Sequence, residues 1–170
     1  REIKDKIKNE LCSQIKKGNN HPHLAIISVG DNPIVRSFVG LKKKFAEDID
    51  VIVTEEIFPL DVTLAQILKK IGELNNNIEI NGIIIQLPLP ETIDTNKVLN
   101  SIALEKDVDV LSQKSNEQFK YQPASMTMPP VIAAIAQICR DNKLVIRGQK
   151  VLILGSGRLV GAPAEVWFKR

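Results

Sequence analysis

An α/β fold built on a parallel sheet is what this 170-residue chain predicts, and three observations predict it. Short, nearly all-apolar runs alternate with segments whose apolar residues recur at helical spacing. The runs are too continuous for strands with one wet face, so they read as strands buried on both sides. Near the end, "VLILGSGRLVG" sets a glycine turn between such a run and a helical pattern, the arrangement that cradles a phosphate. Strands alternating with helices imply right-handed crossovers and helices on both faces, hence three layers.

The elements follow in order. Ile3, Ile7, Leu11 and Ile15 give the first helix one apolar stripe, and "KGNN" ends it. "HLAIISVG" is the first buried strand. "DNP" opens the next helix, with Asp31 or Asn32 as cap and Pro33 in the first turn. Ile34, Phe38, Leu41 and Phe45 form that helix's predicted apolar stripe. "VIVTEEIF" reads as a second strand and "NGIIIQL" as a third. Between them, "VTLAQILKKIGEL" is a helix with Leu64, Ile67, Leu68 and Ile71 on one face. "TNKVLNSI" is a short helix. "ALEKDVDVLSQKSNEQFKYQPASMTMPP" reads as a long polar connection with few regular signals, and connections of that length are usually functional or interdomain. "PPVIAAIAQICRDNKL" is a helix apolar nearly all round, expected to lie between layers.

Last comes "GQKVLILGSGRLVGAPAEVWFKR": strand, glycine turn, helix. The predicted architecture is a three-layer parallel-sheet domain over residues 1–125, then the truncated start of a Rossmann-like dinucleotide-binding domain over 126–170. One strand-turn-helix unit cannot bury both faces of strand 149–154, so its amides are expected to exchange freely. The chain begins at Arg1 without a methionine and stops inside a helical pattern, and both ends are read as cut.

Composition excludes several classes. A net charge of +3, from 23 basic and 20 acidic residues, is too balanced for a nucleic-acid binder, and no aromatic-interleaved basic run appears. Cys12 and Cys139 are too few for a disulfide framework or a zinc site, which points to a reducing compartment, the cytoplasm. No apolar stretch is long enough to span a membrane, and "REIKDKIKNE" is no signal peptide.

Four features carry candidate chemistry. In "LKKKF", Lys42 sits at the edge of the helix's apolar stripe while Lys43 and Lys44 fall outside it as solvent-facing charge. Lys42 is either a snorkelling side chain or a partly desolvated amine that shuttles protons. Gln86 ends a buried strand before Pro88 and Pro90, at the carboxyl edge where open parallel sheets bind ligands. It either ties down loop backbone or contacts substrate. Asp107 and Asp109 in "EKDVDVL" lie two apart, as solvated loop charges, an acid/base pair, or a single carboxylate gripping a planar N–H edge. No histidine lies near them in sequence, and no metal site is expected. The glycine turn, Gly155, Gly157 and Gly161, is spaced one residue wider than the common dinucleotide fingerprint.

Together, "LAIISVGDNP", "SFVGLKKKFAEDI", "INGIIIQLPLP", "EKDVDVL" and "GQKVLILGSGRLVGAP", in that order, resemble the bifunctional methylenetetrahydrofolate dehydrogenase/methenyltetrahydrofolate cyclohydrolase family. The resemblance runs from about residue 22 to 168 and makes the first domain a folate-binding one. It implies that the carbon bridging N5 and N10 of tetrahydrofolate gives a hydride to NADP. Water then adds to the resulting methenyl cation, giving 10-formyltetrahydrofolate. By resemblance Lys42 is the catalytic lysine, Gln86 orients it, and Asp109 accepts hydrogen bonds from the pterin's amino edge. Phe38, Leu87 and Pro88 contact the substrate, and Gly155, Ser156, Gly157 and Arg158 hold the dinucleotide. The family is dimeric, so a homodimer is expected of the full-length protein.

The chain departs from the family pattern at defined places. Phe38 replaces the tyrosine four residues before the lysine. Val110, Leu111, Ser112 and Gln113 stand where glycine, a bulky residue and His-Pro are usual. "PASMTMPP" is a degenerate form of a P-C-T-P stretch. Ser156 takes the place of the turn's arginine, with Arg158 two positions later, so NAD stands beside NADP as a possible cofactor.

Overall fold

The computed structural model describes residues 2–18, 21–121 and 128–170. They form two compact units, Arg1–Asp107 and Val108–Arg170. The expected boundary at 125/126 and most of the "PASMTM" stretch lie outside the described residues.

In the first unit the elements run α1 (Glu2–Gly18), β1 (His23–Val29), α2 (Pro33–Glu47), β2 (Ile52–Phe58), α3 (Leu64–Asn76), β3 (Gly82–Ile85), α4 (Thr95–Asn100) and a 3-10 turn, Leu104–Lys106. The strands make a parallel sheet in the order β2-β1-β3, with Ala25 opposite Thr54 on one side and Ile83 on the other. The chain steps one way from β1 to β2 and back past β1 to β3. With right-handed crossovers that reversal puts α2 and α3 on opposite faces. Consecutive strand residues point to opposite faces, yet Ala25, Ile26 and Ile27 are all 0% exposed, so both faces of β1 are covered. This is the expected three-layer α/β arrangement.

Local sequence explains the elements. The α1 stripe of Ile3, Ile7, Leu11 and Ile15 is half-buried, with Lys8 and Cys12 beside it, while the rest of the helix is exposed. Asn32 caps α2, its side chain accepting from Ile34 N at 2.9 Å, and Pro33 follows in the first turn. Thr63 and Gln66 form a reciprocal capping box on α3, which buries Ile67, Ile71 and Leu74.

The α2 stripe is corrected. Ile34, Phe38 and Leu41 are 67%, 57% and 64% exposed, and the helix buries Val39 and Ala46 instead. Small side chains let the helix lie close to the sheet; of the expected stripe only Phe45 is half-buried.

Lys106 is a buried cation that no sequence signal marked. Its ammonium donates to the carbonyls of Leu74, Asn75 and Asn77 at 2.9, 2.7 and 2.8 Å, at the C-terminus of α3. The Asn75 side chain extends this anchor, donating to Ser101 O at 2.8 Å and accepting from Ala103 N at 2.9 Å. Asp107, next in sequence, bridges to Ile83 of β3 and is 3% exposed.

The second unit holds α5 (Gln113–Tyr121), α6 (Pro130–Asp141) and α7 (Gly161–Phe168). Its core is Val110, Phe119, Ile132 and Ala164, with Met128, Val131, Ile135, Ile153 and Trp167 packed against them. Three expectations change here. The long polar connection contains α5, whose first turn is capped by Ser112 Oγ accepting from Ser115 N at 3.2 Å. Helix α6 buries only Ile132, so it is not sandwiched. Residues 149–154 form no paired strand, and Leu152 and Leu154 are 83% and 88% exposed. Strand geometry needs a hydrogen-bonded neighbour, and none stands beside this segment among the described residues.

Candidate functional site

In the first unit, Lys42 and Gln86 meet. Lys42 Nζ donates to Gln86 Oε1 at 3.0 Å, joining residues 44 apart in sequence. Each is fixed by a different element. Gln86 follows β3 directly, and its backbone N–H extends the ladder to Ile27 O at 2.8 Å. Its side-chain amide donates to Leu87 O at 3.1 Å, which turns Oε1 towards the lysine. Both readings of Gln86 are therefore realised: one end of the amide secures loop backbone and the other holds the amine. The Leu87–Pro88 peptide is cis, with Leu87 half-buried and Pro88 exposed.

Lys42 reaches the carboxyl end of β3 from α2, half-buried, one turn after the exposed Phe38. Its acceptor is a neutral amide, so the amine is oriented without a counter-charge. The other lysines differ. Lys44 is exposed, as expected. Lys43 is not free solvent-facing charge: it pairs with Glu55 of β2 at 3.0 Å, and that carboxylate is only 17% exposed.

Asp107 and Asp109 fall in different units. Asp107 closes the first unit through its bridge to β3, whereas Asp109 lines a cavity of about 160 Å³ in the second unit. Asn116 and Arg158 line the same cavity, with Pro129, Val131 and Val160 among its apolar walls. The segment after Asp109 is held in an unusual way. Val110 has φ +56, a left-handed conformation that costs a β-branched residue about 1–3 kcal/mol. The burial of its side chain in the unit's core, at 2% exposure, offsets that cost. A valine thus occupies a backbone position suited to the glycine that the family carries there.

The glycine turn has two sterically required members. Gly155 has φ +96, and a Cβ on Gly161 would lie 2.0 Å from the Gly155 carbonyl oxygen. Gly157 faces open space. Helix α7 starts at Gly161 with no side-chain cap, and its first turn closes on the glycine turn itself: Val160 N and Ala162 N donate to Gly157 O at 3.3 and 3.1 Å, and Pro163 has no N–H. Ser156 and Arg158 are exposed in this turn. What the turn shares with a pyrophosphate site is the close backbone approach that Gly155 and Gly161 allow. Among the described residues no group of three His, Cys, Asp or Glu side chains is arranged to hold a metal ion.

Comparison with known proteins places these features. Residues 1–109, more than half of the chain, match the tetrahydrofolate dehydrogenase/cyclohydrolase catalytic domain. The chain belongs to the tetrahydrofolate dehydrogenase/cyclohydrolase family. Among its relatives is the bifunctional protein FolD of Chlamydia trachomatis serovar L2, 33% identical over 159 residues, which are 94% of this chain and 55% of that protein. The fold matches FolD methylenetetrahydrofolate dehydrogenase/cyclohydrolase from Campylobacter jejuni with a TM-score of 0.91 at 27% identity. It matches the Trypanosoma brucei enzyme, solved with NADP cofactor and inhibitor, at 0.93 and 26%. Each superposition covers 99% of this chain and 59% of the other. The chain thus spans a little over half the length of these family members.

Proposed function

We propose that this protein acts in one-carbon folate metabolism, oxidising 5,10-methylenetetrahydrofolate with NADP and hydrolysing the methenyl product to 10-formyltetrahydrofolate. The observation that carries the reading is the Lys42–Gln86 contact at 3.0 Å, at the carboxyl edge of the sheet where this fold class binds ligands. Family membership supplies the reaction class.

In this reading residues 1–125 are the catalytic folate-binding domain and residues 126–170 open the dinucleotide-binding one. Phe38, exposed one turn before Lys42, offers its ring to the substrate's ring system, and Leu87 and Pro88 flank Gln86 at the loop. Lys42 takes a proton from the water that adds to the methenyl carbon and returns one to N5 as the ring opens. Gln86 keeps the amine in place while this happens. Asp109 accepts hydrogen bonds from the pterin's 2-amino group and N3–H. Gly155, Ser156 and Gly157 approach the dinucleotide's pyrophosphate. When bound, NADP supplies a nicotinamide ring that accepts the hydride from the bridging carbon, and NAD serves the same chemistry. For that step this chain's residues contribute position.

The cytoplasm is the proposed compartment: both cysteines are free, and no helix is long and apolar enough to cross a membrane among the described residues. A homodimer of the full-length protein is proposed with it. Phe38 in place of the family's tyrosine, with the altered residues after Asp109, favours a second reading, an enzyme with only one of the two activities, dehydrogenase or cyclohydrolase.

The test is hydrolysis of 5,10-methenyltetrahydrofolate, followed by loss of its absorbance, in the protein and in Lys42→Met. Hydrolysis above buffer that falls by roughly 10²–10⁴-fold in the variant supports a proton-transferring lysine. Equal rates in both, or none above buffer in either, remove Lys42 from the chemistry and leave a folate-binding protein. Oxidation of methylenetetrahydrofolate with NADP or NAD then separates the two readings.

A further inference from the structure

We propose that Arg158 reads the pterin ring of the substrate, donating to its 4-oxo oxygen while Asp109 accepts from the adjacent N–H edge. The inference rests on the folate reading above and adds a specificity-determining residue to it.

Arg158 stands in the glycine turn, yet it lines the same 160 Å³ cavity as Asp109. That volume is below the roughly 300–1,000 Å³ of sites that enclose a whole drug-sized ligand, so the cavity accommodates one ring system. Its walls suit a flat ring: Pro129, Pro130, Val131, Val160 and Pro163 supply apolar surface. The polar groups on its rim have opposite character, an acceptor-only carboxylate and a donor-only guanidinium.

A pterin presents the matching pattern along one side. Its 2-amino group and N3–H donate, and the neighbouring O4 accepts, while N5 carries the one-carbon bridge. Guanine presents the same run of amino, N–H and oxo groups, and arginine is the side chain that most often donates to guanine's oxo oxygen. A carboxylate is the natural partner of the other edge. Asp109 alone grips donors and leaves the 4-position unread. With Arg158 added, a ring bearing an oxo group there is distinguished from one bearing an amino group, whose donors would face the guanidinium's donors.

The experiment compares folic acid with its 4-amino analogue, in which the change at position 4 also removes the hydrogen from N3. Dissociation constants are measured by calorimetric titration for the protein, Arg158→Ala and Arg158→Glu. The readout is the ratio of the two constants. Changes in basicity of the 4-amino ring and the Asp109 contribution are common to all three proteins and cancel between them. Loss of a hydrogen bond to a charged group predicts that the 4-oxo preference falls by roughly ten- to a hundredfold in Arg158→Ala. In Arg158→Glu it shifts further towards the amino ligand. Melting profiles of the three proteins are compared alongside, because Arg158, though exposed, also makes contacts within the protein.

An unchanged ratio in Arg158→Ala overturns the proposal. So does a variant that loses stability and binds both ligands equally more weakly, which would mark an ion-pairing role only. A variant that keeps the ratio but loses NADP relative to NAD assigns the arginine to the cofactor and also refutes it. Failure of the wild-type protein to bind either folate overturns the underlying reading as well, and is distinguishable from these three results.

Discussion

Lys106→Met is the substitution whose cost the structure specifies most directly. The methionine keeps the unbranched stem and its packing, and removes only the ammonium. Three carbonyls at the end of α3 then lose their donor. The Leu74 carbonyl bond is buried, and that oxygen keeps only the longer bond from Asn77 N at 3.3 Å, so losing the charged donor costs about 1–3 kcal/mol. Those of Asn75 and Asn77 are partly exposed, and water recovers much of their bonding, leaving about 0.5–1 kcal/mol each. Loss of a cation at a helix C-terminus adds about 0.3–1 kcal/mol. The sum is about 2–6 kcal/mol, and about 3 kcal/mol, in its lower half, is the expectation because two of the three oxygens keep a backbone donor.

Native-state hydrogen exchange at the Ala25, Ile26 and Ile27 amides measures this, because those residues form the most buried part of the same unit. A loss of about 3 kcal/mol accelerates their exchange by roughly a hundredfold. Trp167, in the core of the second unit, serves as an internal control and keeps its fluorescence. Acceleration below about fivefold, near 1 kcal/mol, would refute the assignment of Lys106 as an anchor.

Two further expectations follow from local geometry. Gly161→Ala places a Cβ 2.0 Å from the Gly155 oxygen, so the turn must open; NADP affinity measured by titration is expected to drop by tenfold or more while methenyltetrahydrofolate hydrolysis is retained. At low pH, the contact between α1 and the end of α2 loosens. The hydrogen bond from Lys8, with the Lys8 charge adding to it, holds the Asp48 carboxyl below its ordinary value of 3.8. A depressed carboxylate contributes stability above the unfolded value and loses it as pH falls through the lower folded one. The urea midpoint should therefore decline more steeply below pH 3.8 in the wild type than in Asp48→Asn. The effect is small, since the two side chains are 33% and 43% exposed.

What the sequence made legible was whatever depends on local pattern. Continuous apolar runs located β1, β2 and β3, and the Asn32 and Thr63 caps bracketed their helices. Gln86 was legible because prolines follow a buried strand. The features that were missed depend on partners distant in sequence. A helical stripe identifies the most apolar face, but α2 buries Val39 and Ala46 because close approach to the sheet favours small side chains, and Phe38 is left out beside Lys42. Helix α5 lies in a polar stretch whose start signal is Ser112, a cap with few apolar residues after it. Lys43 read as solvated charge because Glu55, its partner, belongs to another element. Lys106 was passed over for the same reason, since nothing in "EKDVDV" reveals that three carbonyls of α3 converge on its amine.

The two lysines divide the first unit by task. Lys106 and Asp107 secure the amino-terminal end of β3, where Asp107 pairs with Ile83, while Lys42 meets Gln86 just beyond the strand's carboxyl end. Three residue steps separate Ile83 from Gln86, about 10 Å at the usual rise. Groups that far apart, with no shared partner, contribute additively to stability within about 0.5 kcal/mol. Lys42→Met, which removes a half-buried amine held by a single neutral acceptor, is expected to change stability by about 1 kcal/mol or less while abolishing hydrolysis. Lys106→Met should do the reverse, slowing hydrolysis only in proportion to the unfolded fraction. In the double variant the stability losses should therefore sum. A coupling beyond 1 kcal/mol would show that the catalytic edge relies on the anchor through strain in β3. Additivity would mean that a parallel sheet of three strands, one of them four residues long, suffices to keep the stabilising end from disturbing the reactive one.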